Sequence, residues 1–470
     1  MNKILLLKDL RLMLKDLKFQ IFFMILVILF LLSAISGAVT YKNLNEDYQT
    51  DLYRHQLRAS DGLSFQLMQM LQSSPLNVVS KPSPAVLFSR YGNYPDKINV
   101  GIIFYTPTFH NYGTVSEDNF NLNWFFIIAI LSSFIMLIMS FEAISSEKRS
   151  GTLRLLSIYG FKRQTILWHK YICYMLLYFI IIFPPALISM ILFFTLSGTW
   201  SVIYMMKFVI VLLISLPFAS FFVLLGIFIS MLKNYRNAIV TIVFIWLLLV
   251  IIIPQSSNII AEQVLPQKTA IEYQEMRENA HYTEWQIWDD EYDVHILDAR
   301  RLREGIGVRA HQAADEKASL INQLELNENK KQVRLIRNIS NISPFVQMEN
   351  ISEIIFDKGY YLLNFQQETA KRSINQIANL MIEQDSRDET SLHHFYKAAN
   401  RDKRVLANVG GTPFSTQVFE HADLLFVTEI DTDDSLLKLV KILIRLLPIL
   451  LSNLIIVIIS VFYFEKLDIR

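Results

Sequence analysis

The stretch EAISSEKRSGTLRLLSIYG, residues 142–160, carries two acids, three bases and two glycines between two long apolar runs. If those runs cross a membrane, this stretch connects two crossings on one face of it. If they are buried helices of a soluble protein, it is an ordinary loop. Composition decides between the two. The chain has 470 residues, of which 52% are hydrophobic and 13% aromatic, and its mean hydropathy is +0.32. A soluble domain of this length is rarely so apolar.

Six blocks are long enough to cross a hydrocarbon core of about 30 Å, which takes about 17–25 helical residues. They begin at Ile21, Asn123, Tyr171, Phe208, Ala238 and Leu446, and none carries a charge. The spans are assigned to residues 19–40, 122–141, 171–196, 207–232, 237–254 and 442–464. The first block reads as an uncleaved span, not a signal peptide. Its apolar run is long, and no small-residue site closes it cleanly.

Basic residues near span ends set the orientation. Lys3, Lys8, Arg11, Lys15 and Lys18 precede the first span. Lys148, Arg149, Arg154, Lys162, Arg163 and Lys170 follow the second, Lys233 and Arg236 follow the fourth, and Lys466 and Arg470 follow the last. With six spans all of these share one side, so both termini are expected in the cytoplasm. Segments 1–18, 142–170 and 465–470 are then cytoplasmic, and 41–121 and 255–438 extracytoplasmic. The expected fold is an α-helical polytopic membrane protein with an N-terminal interfacial helix and a mostly helical extracytoplasmic domain. Cys173, the single cysteine, lies within a span, so disulfides play no part in that domain.

Segment 255–438 holds 20 basic and 30 acidic side chains, a solvated composition that argues against nucleic-acid binding. Charges interspersed with sparse apolar residues from Glu262 onward predict a projecting antiparallel helix pair. Pro344 breaks the pattern, and Gly410, Gly411 and Pro413 mark a loop. The shorter segment, with five prolines, reads as a small irregular or mixed domain.

No motif carries chemistry. There is no GxxxxGK[ST], HExxH, GxSxG or cysteine cluster, so no catalytic, cofactor or metal site is expected on this chain. The adjacent His393 and His394 would diverge by about 100° on a helix. Asn338, Asn341 and Asn350 fit glycosylation acceptors, and Arg445 is expected to snorkel to the outer interface. The uncharged spans point away from small ions as cargo.

Two cytoplasmic features stand out. At the N-terminus Leu6, Leu10, Met13, Leu14 and Leu17 recur at helical spacing, opposite Lys8, Arg11, Lys15 and Lys18. Such a basic amphipathic helix is suited to the membrane interface and its lipids. The tripeptide KDL occurs twice there, at Lys8 and Lys15. The second feature is residues 142–160 themselves. Ser150 is expected to cap a two-turn helix, with Leu153, Leu156 and Ile158 as apolar contacts and Gly160 ending it. The helix is too short for an active site and suits docking against another protein.

Residues Glu147, Lys148, Arg149, Gly151, Thr152, Leu153, Leu155, Leu156, Lys162, Arg163 and Lys170 resemble the cytoplasmic segment of ABC-2 type permeases, the membrane subunits of many bacterial ABC exporters. The family usually has a proline turn where this chain has Tyr159-Gly160-Phe161. The large insert before the last span, including ISPFVQMENI, resembles a subgroup with an extracytoplasmic domain. The resemblance implies a permease of the bacterial inner membrane that pairs with a second permease, identical or homologous. It also implies a separate cytoplasmic ATPase dimer holding ATP and Mg. Glu142, Glu147 and Arg149 would be its polar contacts, with Gly151 to Leu156 and Gly160 forming the coupling helix. Two alternatives stay open. One is an ABC-type permease that passes force to an extracytoplasmic protein without moving a solute. The other is a receptor or scaffold unrelated to ATP.

Overall fold

The computed structural model describes residues 3–60, 76–88, 97–103, 106–110, 122–159, 161–232, 235–291, 306–387, 417–428, 430 and 432–466. Gly160, His393, His394 and the loop at 407–416 lie outside them. Among the described residues, six helical segments are long and apolar enough to cross a membrane: Leu17–Leu57, Phe126–Ser150, Arg163–Ser197, Val202–Ser230, Ile239–Val264 and Ser435–Lys466.

The chain opens with helix α1, Lys3–Lys15, which ends at Asp16. There the Asp16 Oδ1 accepts the backbone N–H of Lys18 at 3.1 Å and caps α2, Leu17–Ser60. At 1.5 Å per residue the 44 residues of α2 span about 66 Å, twice the hydrocarbon thickness. So α2 is long enough to cross and to continue beyond. Next come strands β1, Leu76–Val79, β2, Lys97–Ile103, and β3, Thr106–His110.

A π-turn at Phe126–Leu131 leads into α3, Ser132–Ser140. Two short helices follow: α4, Ser145–Ser150, and α5, Thr152–Ile158. The long spans α6, Arg163–Ser197, and α7, Val202–Ser230, come next. Helix α8, Tyr235–Leu247, continues through a π-turn at Leu248–Ile252 into α9, Ile253–Val264. The polar insert supplies α10, Ala270–Glu291, α11, Ile306–Ser340, α12, Pro344–Phe356, and α13, Gly359–Arg387. Strand β4, Phe426–Val427, and the last span α14, Ser435–Lys466, complete the chain.

Helices α2, α3, α6 and α7 pack into one core with buried aromatics at its centre. Trp124 is fully buried; its Nε1 donates to Ser189 Oγ at 3.1 Å, and Ser189 Oγ donates to the Phe30 carbonyl at 2.6 Å. One serine thus joins three segments where no water can satisfy them. At Gly226 a Cβ would lie 3.0 Å from the Cβ of Ser140 and 3.1 Å from the carbonyl of Leu137. Glycine lets α7 and α3 approach at backbone distance.

The polar segments form a joint structure. Strands run in the order β3-β2-β1-β4, antiparallel except for the parallel β1–β4 pair, which sets Asn77 against Phe426 and Val78 against Val427. The two polar segments are therefore joined through one sheet. Helices α10 and α11 lie alongside each other, held by Arg277 to Glu325 at 2.8 Å, Arg277 to Asn322 at 3.1 Å and a Tyr273–Glu328 hydrogen bond.

Helix α12 is buried along almost its whole length. Phe345 meets Phe125 in a tilted pair at 5.1 Å, and Phe356 meets Phe88 at 5.2 Å and Phe208 at 5.1 Å. Ser343 Oγ donates to the Leu249 carbonyl at 2.5 Å, inside the π-turn that opens the α8–α9 ladder. At the foot of α12, Arg337 pairs with Glu353 at 2.7 Å and with Asn350 Oδ1 at 2.6 Å. Burial raises the Glu353 carboxyl despite that guanidinium. Arg445, expected to snorkel to the outer interface, donates to Asn341 Oδ1 of the polar insert at 3.2 Å. Asn350 is buried, which is incompatible with carrying a glycan in the folded chain.

Candidate functional site

The candidate site is the end of the bundle where α1, α4, α5 and the beginning of α6 meet. Gly151 separates the two short helices. Its φ of +74° is left-handed, and its N–H reaches the Lys148 carbonyl at 3.4 Å. This is a glycine helix stop, and α5 restarts at Thr152. Ser150 was expected to cap the docking helix. It is instead the last residue of α4, and its Oγ donates to the Glu147 carbonyl at 3.2 Å and pairs with Thr152 Oγ1 at 2.9 Å. A serine already bonding back into its own turn cannot cap the next helix.

The apolar residues of α5 divide. Leu153 is 1% exposed and packs into the protein's own core, with Leu156 partly buried beside it. Leu155, Ile158 and Tyr159 are 54%, 72% and 80% exposed. The grouping of Ile158 with Leu153 and Leu156 is therefore corrected. At about 100° per residue, 153 and 156 share one face while 155, 158 and 159 share the other. Lys148, Arg149, Gly151 and Thr152 are exposed around that second face.

Helix α1 is latched to this platform. Asp9 Oδ2 lies 2.9 Å from Lys170 Nζ and 3.2 Å from His169 Nε2, and Lys170 also pairs with Glu147. Lys170 is buried, and its ammonium lies between two carboxylates from different helices. Lys18 pairs with Glu142 at 3.3 Å, and Arg163 donates to the carbonyls of Phe464 and Glu465 at 3.0 and 2.6 Å. The last pair places a cation at the C-terminus of α14. Of the predicted interfacial face, Leu6, Leu10, Met13 and Leu14 are partly buried. Leu17 is exposed, because the turn at Asp16 takes it off the α1 stripe.

Between α1, α5 and α6 lies a groove of about 330 Å³, lined by Asp9, Leu12, Leu155, Tyr159, Phe161 and His169 among others. No motif singled out Asp9 or His169. The signal was present in the first KDL, where an acid interrupts a basic helix, but its partners lie 160 residues away. The ligand atoms of Asp9, His169 and Cys173 fall within 4.8 Å of one another.

This platform of a glycine-broken helix pair beside an N-terminal helix belongs to a chain with six apolar spans. The family model for ABC-2 family transporter proteins matches residues 4–353. The chain belongs to the ABC-2 family of transporter proteins. It is a permease subunit of an ABC transporter and a membrane protein. No curated protein and no solved structure matches the permease. The family match takes in α1, the α4–α5 pair and five of the six spans, and it ends within α12.

Proposed function

We propose that the permease is the membrane subunit of an exporter in a bacterial cytoplasmic membrane, driven by a separate cytoplasmic ATPase that docks on α5. The observation that carries this reading is the exposed face of Leu155, Ile158 and Tyr159 beside the groove. Three large apolar side chains in water would be covered by a partner's hydrophobic cleft. The opposite face of the same helix, through Leu153, is rooted in the permease core. A push on the exposed face would therefore pass into α3 and α6 as rigid-body motion. The basic flanks support the reading that this end, with both termini, faces the cytoplasm.

A second permease chain fits the same reading. Only 11% of the most apolar stretch is buried in Ile239–Val264 and in Ser435–Lys466, against 72% in Phe126–Ser150, 56% in α6 and 67% in α7. Those two spans would face lipid or another copy. A second reading has the machine pass force or signal to an extracytoplasmic protein without moving a solute. It is favoured by the α10–α11 pair, whose 35-residue partner alone spans about 52 Å.

The test is purification of the tagged permease from its native membrane, with identification of bound proteins. An ABC ATPase recovered with the wild type supports the reading. A folded permease that brings down no nucleotide-binding protein contradicts it. An outer protein recovered in equal amount would favour force transmission.

A further inference from the structure

We propose that Asp9, His169 and Cys173 form a binding site for a thiophilic divalent cation such as Zn2+, which staples α1 to α6. Three observations support it. The first is the donor set. One carboxylate, one imidazole and one thiol from two helices converge within 4.8 Å. His169 and Cys173 are four residues apart, on one face of α6.

The second is spacing. His169 Nε2 lies 3.2 Å from Asp9 Oδ2 and 3.8 Å from Cys173 Sγ. Tetrahedral zinc bonds of about 2.0–2.3 Å require donors about 3.3 Å apart for N and O, and about 3.6 Å apart for N and S. The two edges at His169 therefore stand within a few tenths of an ångström of a coordination shell, and the Asp9–Cys173 edge, at up to 4.8 Å, closes onto the metal by a shift of the partly exposed Asp9. His169 and Cys173 are buried, while the groove gives Asp9 and His169 an approach from solvent and room for a water as fourth ligand.

The third is charge. Asp9 and Glu147 have one ammonium, Lys170, between them, and Glu147 Oε2 is buried without a hydrogen-bond partner. Around Lys170 the two carboxylates thus outnumber the ammonium, while the exposed Lys8 also lines the groove. If Asp9 turns an oxygen to a metal, Lys170 keeps Glu147. On binding, the Cys173 thiol gives up its proton to solvent and its sulfur becomes the anionic ligand, so the charges of Zn2+, Lys170, Asp9, Glu147 and Cys173 sum to zero. Copper(II) or cobalt(II) would satisfy the same donors, and hard ions such as Mg2+ would not.

Cys173 is the only cysteine in the chain, so a metal–thiolate signal can come from one place. The full-length permease without a histidine tag, in detergent, is titrated with Co2+ and then with Zn2+. Fold is checked by circular dichroism and size exclusion in every variant. We expect about one Co2+ per chain, with thiolate-to-cobalt charge-transfer absorption that Zn2+ abolishes. Cys173→Ser should lose that absorption, and His169→Gln should weaken binding by at least about tenfold. A folded wild type without the thiolate band would overturn the site, and so would Cys173→Ser or His169→Gln binding as tightly as wild type. No ATPase is involved, so this result stands apart from the proposed function.

Discussion

At the scale of single residues, Lys170 is the most constrained side chain in the platform. It is buried between Asp9 and Glu147, so removing its ammonium leaves two carboxylates facing each other. Lys170→Met should cost about 3 kcal/mol, the lower end for a broken buried pair, because both acids keep some solvent contact. Combining it with Asp9→Asn and Glu147→Gln should recover most of that loss, and thermal unfolding in detergent would show both effects. Recovery of nothing would mean that Lys170 acts by packing alone. Asp433 offers a pH test on the opposite side. Burial alone would raise its carboxyl, but hydrogen bonds from Lys441 and Tyr361 outweigh burial and hold it below the ordinary 3.8. A carboxyl lowered on folding stabilises above its unfolded pKa, and that stability is lost as pH falls through the folded value. Wild type should therefore lose stability below about pH 4 more steeply than Asp433→Asn, read as unfolding temperature against pH. The sequence shows these residues only as charges. Asp9 and Asp16 sit in identical KDL tripeptides, yet one pairs with a lysine across the fold and the other caps a helix. Their roles depend on partners the local sequence does not contain.

At the scale of elements, Gly226 sets how closely α3 and α7 pack. Gly226→Leu should push α7 off the Leu137 backbone and lower the yield of folded protein far more than Gly226→Ala. Fluorescence-detected size exclusion of the two variants would separate them; equal yields would show that the helices have room to part. Spans were legible because six uncharged runs can hardly be anything else in water or lipid. The sheet was not. β4 is two residues long and pairs with β1 across more than three hundred residues of chain, leaving no periodicity to read. The docking helix was half legible. Its position followed from polarity, but its start was placed one residue early, and its faces were confused because seven residues make barely two turns. Gly151, with its left-handed φ, was the better boundary signal than Ser150.

At the scale of the whole molecule, two ends differ in what they gather. One end gathers α1, α4, α5 and the termini of α6 and α14. The other gathers the sheet and the α10–α11 pair. In a Cys173→Ser background, cysteines at Arg149 and Tyr282, both exposed, should report opposite sides. An impermeant maleimide on intact cells should label position 282, and position 149 only after lysis. The reverse pattern would invert the orientation drawn from basic residues. The central claim is that an ATPase drives the permease through the exposed face of α5, and affinity for the partner ATPase measures it most directly. Leu155→Glu with Ile158→Glu should weaken that affinity by at least about tenfold, as loss of an interface centre does. Both side chains lie in solvent, so unfolding temperature should barely move. ATPase binding as tight as in the wild type, on an equally stable permease, would contradict the account.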